Sequence, residues 1–171
     1  MEKNNGIKSR SWYKEVNVMR RVNNSDREKR EILAIVQKYY PDIIAVATAL
    51  RKKLESMYGT GTELAGKCIM ASEALCKELT KRGYKCKTVE GWCWYDTCDN
   101  ITNEPTDAHT WVQVYGLSKL GNRVLYVDIT GDQFNPYLDY PLEGVEIGRI
   151  PYCMHKGKPS REHLRYIGWY D

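Results

Sequence analysis

No apolar run in this 171-residue chain reaches the roughly 18–20 residues that a membrane span requires. The N-terminus, MEKNNGIKSR, lacks the apolar core of a secretory signal. A Gly-rich phosphate loop is missing too, which leaves nucleotide hydrolysis without support. No pair of cysteines has Cys-x-x-Cys spacing, and neither a repeat nor a break in composition marks a second domain. What remains is one soluble domain, expected in the cytoplasm and without a membrane partner. Within it, residues 1–24 read as a basic arm, 25–58 as helical, 64–135 as a core and 136–171 as loop-rich.

The charge of +4 is unevenly placed. Residues 1–30 carry nine Lys/Arg against four Asp/Glu, and the rest carries 17 against 18. No aromatic-rich RNA-binding signature accompanies the basic arm, so it reads as a solvated tail and nucleic acid is not an expected partner. Six cysteines in a chain without a signal segment argue for free thiols over a disulfide framework. Cys93, Cys98, Cys153 and His155 are the only hint of a structural zinc. Their spacing fits no familiar site, so neither metal nor other cofactor is expected. Oligomeric state is left open.

Ser25 and Glu28 form a capping-box pattern that opens a first helix, which carries Ile32, Leu33, Ile35 and Val36 until Pro41 interrupts it. A second helix follows through Ile43, Ile44, Val46, Ala47 and Leu50 and ends near Gly59, with Thr60 to Thr62 as a flexible junction. These two read as packing and a groove wall. The spacing predicts a third helix from about Gly66 to Arg82. Cys68, Ser72, Leu75 and Leu79 share its inner face, Ile69 and Cys76 widen the stripe, and Gly83 caps the end. Strands then follow over Tyr84 to Glu90, Ala108 to Tyr115 and Asn122 to Ile129, with a polar insertion at Cys93 to Asp107 and a short strand near Ile150 to Met154.

Cys68 stands where unpaired backbone N–H groups of a helix start favour a thiolate. On position alone a buried, inert cysteine is the commoner meaning. The two later strands alter that balance. A hairpin pairing Trp111 with Tyr126 and Gln113 with Val124, across a Gly116 to Gly121 loop, sets His109 directly opposite Asp128. Directly opposed side chains are close enough for an imidazole–carboxylate hydrogen bond, whereas a one-residue slip would separate them. Asp128 would then orient the imidazole and His109 would serve as base for the thiol. Asp132, beyond the strand and Gly131, is a poorer orienting acid.

The order Cys68, His109-x-Trp111 and Asp128-x-Thr130 resembles the transglutaminase-like group of papain-related thiol enzymes, over about residues 64–135. The resemblance implies an α+β fold with a papain/transglutaminase-like core, in which N-terminal helices and a nucleophile-bearing helix pack on an antiparallel sheet. It implies Cys68 as nucleophile, His109 as base and Asp128 as orienting acid, acting on a peptide or protein substrate. Transglutaminases typically carry an aromatic residue after the cysteine, where this chain has Ile69, so hydrolysis is expected ahead of crosslinking. Trp92, Trp111 and Gln133 are the candidate substrate contacts; Gln133 could equally hold its turn. The expected activity is that of a cysteine protease, amidase or deamidase. An amine transferase and an inactive binding module of the same fold are the alternatives.

Overall fold

Two amphipathic helices, Arg27–Tyr39 (α1) and Pro41–Tyr58 (α2), meet at a bend of 101°. Pro41 explains the break, because proline lacks the N–H that would continue α1 yet fits the first turn of α2. The computed structural model describes residues 27–93, 96–97, 100–101, 107–121, 123–137, 142–148 and 154–155, with backbone alone at 92–108, 137 and 154–155. Ser25 and the basic arm lie outside that set, as do the side chains of Trp92, Cys93, Cys98, Cys153 and His155.

The supposed junction after α2 is ordered into a short 3-10 turn, Gly61–Leu64, held by the Thr60 N–H donating to Glu63 Oε2 at 2.9 Å and anchored by the buried Leu64. Helix α3 spans Cys68–Lys81 and buries Cys68, Ala71, Ser72, Leu75 and Leu79. Ile69 does not widen that stripe: it is 55% exposed, and Ala71 takes the inner place. Gly83 closes the helix with φ +87°, its N–H reaching Thr80 O and the Tyr84 N–H reaching Leu79 O. That pair of bonds is a Schellman motif, and it turns the chain directly into the sheet.

A five-stranded sheet, antiparallel at every pairing, runs in the order Glu146–Gly148, Leu125–Asp128, Asp107–Tyr115, Lys85–Cys93 and Met154–His155. Its body is β1 (Lys85–Cys93), β4 (Asp107–Tyr115), β5 (Leu125–Asp128) and β6 (Glu146–Gly148), with the two-residue β7 (Met154–His155) at the edge. A separate ribbon pairs β2 (Asp96–Thr97) with β3 (Asn100–Ile101) within the polar insertion. The chain is therefore α+β, with helices against an antiparallel sheet. Val112, Val114, Leu125 and Val127 join Leu75 and Leu79 in one apolar core. No single helix among the described residues is long and apolar enough to cross a membrane. The bent α1–α2 pair passes that test together, but it contributes Val36, Ile43 and Val46 to the core.

The β4–β5 register differs from the expected one. Val112 pairs with Val127, Gln113 with Tyr126 and Val114 with Leu125, a shift of two residues. The cause is the connection, which is longer than Gly116 to Gly121. A 3-10 turn at Ser118–Leu120 buries Leu117 and Leu120, so pairing resumes only at Leu125. A shift of two preserves the alternation of faces, so His109 and Asp128 still share one, but diagonally.

The core assignment makes a direct prediction. Leu75→Ala should lower unfolding free energy by about 2–5 kcal/mol in urea denaturation, whereas Ile69→Ala should change it by less than about 0.5 kcal/mol. Equal losses would contradict the stated packing of α3.

Candidate active site

Three elements bring the site together. Helix α3 supplies Cys68 at its first position, preceded by Lys67, which offers no side-chain cap. The first-turn N–H groups therefore remain available, and the Ile69 backbone favours the Cys68 thiolate. Strand β4 supplies His109 and also the Thr110 backbone, which likewise favours the Cys68 thiolate. Thr110 O in turn accepts from Ser72 Oγ at 2.8 Å, which pins the first turns of α3 against this part of β4.

The end of β5 supplies Asp128. Its Oδ2 lies 2.7 Å from His109 Nε2, and neither side chain is exposed to solvent. Its Oδ1 accepts from the Thr130 N–H at 2.9 Å and from Thr130 Oγ1 at 3.2 Å. One oxygen thus holds the turn and the other orients the ring, which explains why threonine follows at the second position. Phe134 packs edge-on against the His109 ring with centroids 4.9 Å apart, and Trp111 lies alongside at 6.3 Å.

Burial alone would push the Cys68 thiol up. Its hydrogen bond to His109, the charge of that ring and the Ile69 and Thr110 backbone outweigh burial and bring the thiol below its ordinary 9.0. Burial likewise opposes charge on His109, but Asp128 and Cys68 reverse the balance and raise the ring to about 9. Both shifts run toward a thiolate–imidazolium pair. Because the folded ring is raised above 6.5, its charged form stabilises the fold fully below that pH, and this contribution fades as pH rises through about 9.

Gln133 Nε2 donates to Thr130 O at 2.9 Å and stands 3.2 Å from His109 Nδ1. It therefore reaches both the ring and its own turn. In a neutral ring Nδ1 accepts from that amide. In the charged ring Nδ1 becomes the donor, and with Nε2 committed to Asp128 it is the nitrogen left to face the thiolate. Trp111 is 2% exposed, and its Nε1 is the one buried side-chain polar atom without a partner among the described residues. Leaving such a donor unbonded costs about 1–3 kcal/mol.

Comparison with protein-family models, curated proteins and solved structures returns no match for this chain. The site stands on its geometry.

The sequence pattern missed one participant. Arg51, on α2 and 4% exposed, grips both Asp132 oxygens at 2.6 Å and donates to Ile129 O at 2.9 Å. Asp132 Oδ2 also accepts the Gly61 N–H at 3.1 Å, and Glu55 takes Arg51 Nε at 2.7 Å. Gly144 lies against the guanidinium, where an added Cβ would come within 2.9 Å of Cζ. Helix α2 is therefore more than a wall, since it fixes the turn that carries Asp128, Thr130 and Gln133. The signal was present: Arg51 falls at helical spacing among Ile43, Val46, Ala47 and Leu54, where a solvated arginine would not be expected. Asp132 belongs to this clamp and not to the imidazole.

Removing one partner of a buried ion pair strands the other. Arg51→Ala should cost about 3–5 kcal/mol of stability and slow iodoacetamide labelling of Cys68. Arg51→Lys should recover only part of both, because an ammonium cannot reproduce the two-pronged contact. Unchanged stability in both variants would contradict the clamp.

Proposed function

We propose that the protein is a cysteine hydrolase with a papain/transglutaminase-like core, cleaving or deamidating an amide bond in a peptide or protein through a Cys68 thioester. The observation that carries this reading is the buried chain from Cys68 through His109 to Asp128, in which thiol and ring are shifted toward the charged pair. A cysteine buried only for packing has no need of an imidazole, a backbone that favours its thiolate and an orienting carboxylate.

The Cys68 thiolate attacks the amide carbon, forming a C–S bond and moving the carbonyl electrons onto oxygen. The Cys68 backbone N–H, in a first helical turn, would receive that oxyanion, and the unpaired Trp111 Nε1 is the candidate for a second donor. The His109 Nδ1–H then protonates the departing nitrogen as the C–N bond breaks. Water attacks the thioester carbon, yielding its proton to His109, and the acid leaves as Cys68 becomes a thiolate again. Asp128 keeps the ring oriented throughout and stabilises its charged form whenever it holds the second proton, without itself taking the proton. The same thioester given to an amine in place of water would make a transferase. Water is favoured because Ile69 stands where transglutaminases typically have an aromatic residue, and no lysine-binding feature accompanies Cys68 among the described residues.

The test is turnover of a peptide pool in water enriched in the heavy oxygen isotope. Hydrolysis should give product acids or deamidated glutamines carrying one heavy oxygen. Cys68→Ala should reduce their formation by at least about 10⁴-fold and Asp128→Asn by about 10²–10⁴-fold. Full activity of Cys68→Ala would refute the mechanism, amide-linked products without the isotope would favour transfer, and no turnover by the wild type would favour a binding module.

A further inference from the structure

A second pair of sulfurs lies well along α3 from the nucleophile. Cys76 on α3 and Cys86 on β1 are both partly buried, and their Sγ atoms stand 3.2 Å apart. That is inside ordinary sulfur–sulfur contact but short of a bond, which would be about 2.05 Å. The juxtaposition is built by the chain reversal between them. The Schellman bonds from Gly83 and Tyr84 fix the exit from the helix, so β1 returns alongside the last turns of α3. Thr80 sits over the pair: its hydroxyl donates to Cys76 O at 2.8 Å and lies 3.3 Å from Cys86 Sγ. Cys86 Sγ also contacts Cys76 O at 3.2 Å. No step of the mechanism above uses either thiol.

We propose that Cys76 and Cys86 are a redox modification site, a dithiol that a hydroperoxide converts into a reversible disulfide stapling α3 to β1. Burial and the neighbouring Cys86 push the Cys76 thiol up to about 11. The two orders of attack give the same product; in one of them Cys86 goes first. The Cys86 sulfur displaces one peroxide oxygen, breaking the O–O bond and giving a sulfenic acid and water. Cys76 then attacks that sulfenic sulfur; the S–S bond forms, and the hydroxyl leaves with the Cys76 proton as a second water. Two electrons pass from the sulfurs to the peroxide, so two thiols and one hydrogen peroxide give one disulfide and two waters. A dithiol reductant reverses the change. The staple ties down the helix whose first residue is Cys68, but its formation does not depend on the hydrolase reading.

The experiment uses the full chain, reduced, freed of reductant and treated with a small excess of hydrogen peroxide before alkylation, digestion and mass analysis. The expected product is a peptide pair joined through Cys76 and Cys86, lighter by two hydrogens and released by dithiothreitol. The melting temperature should rise by about 5–10 °C, as a short closed loop predicts. Cys76→Ser and Cys86→Ser should each lose both the cross-link and the rise, while Cys68→Ala should retain them. Recovery of both cysteines as alkylated thiols, cross-linking of either to another cysteine instead, or a cross-link without the thermal shift would overturn the proposal.

Discussion

The hydrogen bond between His109 Nε2 and Asp128 Oδ2, 2.7 Å long, is closed off from water on both sides. Buried charges are tolerated only where every remaining polar atom is also satisfied, so this one contact imposes conditions on its surroundings. Asp128 Oδ1 must be occupied, and Thr130 provides both an N–H and a hydroxyl. The second ring nitrogen, a donor in the charged ring, must face an acceptor, and Cys68 stands there. The turn that carries three of these residues must hold its shape, and Arg51 fixes it from the far helix through Asp132 and Ile129. A further carboxylate, Glu146, pairs with Asp128 across β5 and β6 and is itself buried. Lys29 from α1 bonds it and offsets the charge.

Each helix therefore has an electrostatic task beyond its apolar face. Helix α1 delivers Lys29, α2 delivers Arg51, and α3 delivers Cys68 with the free N–H groups of its first turn. The cost of gathering these polar groups falls to the core behind them, where Leu75, Leu79, Val112, Val114 and Val127 are fully buried. Ring and carboxylate are held by the fold's own hydrogen bonds, in a water-poor setting where such interactions are strongest.

The sequence carried more of this than its unmatched pattern would suggest, and the reason is periodicity. Strand alternation puts His109 and Asp128 on one face under any even shift of register, so their proximity was legible although the pairing itself was misjudged by two residues. What misled was the β4–β5 connection, where Leu117 and Leu120 turn inward and consume extra chain, a feature only tertiary packing decides. Helix α3 was readable from its spacing because Leu75 and Leu79 repeat at four residues. Ile69 was misplaced because hydrophobicity was given more weight than angle around the helix. Arg51 escaped because its partner Asp132 is 81 residues away, beyond any local pattern, although its place in an apolar stripe was a usable sign. The closeness of Cys76 and Cys86 likewise depends on how the helix end reverses, which neither cysteine reveals alone.

Asp128 and Cys68, whose own thiol is lowered, together hold His109 toward its charged form. The most direct test is nitrogen NMR of the His109 ring as a function of pH. Both ring nitrogens should remain protonated at neutral pH, with the ring losing its proton only near about 9. In Cys68→Ala that midpoint should fall, since the thiolate's contribution is gone. A wild-type ring that titrates at or below the ordinary 6.5, unmoved by loss of Cys68, would contradict the account.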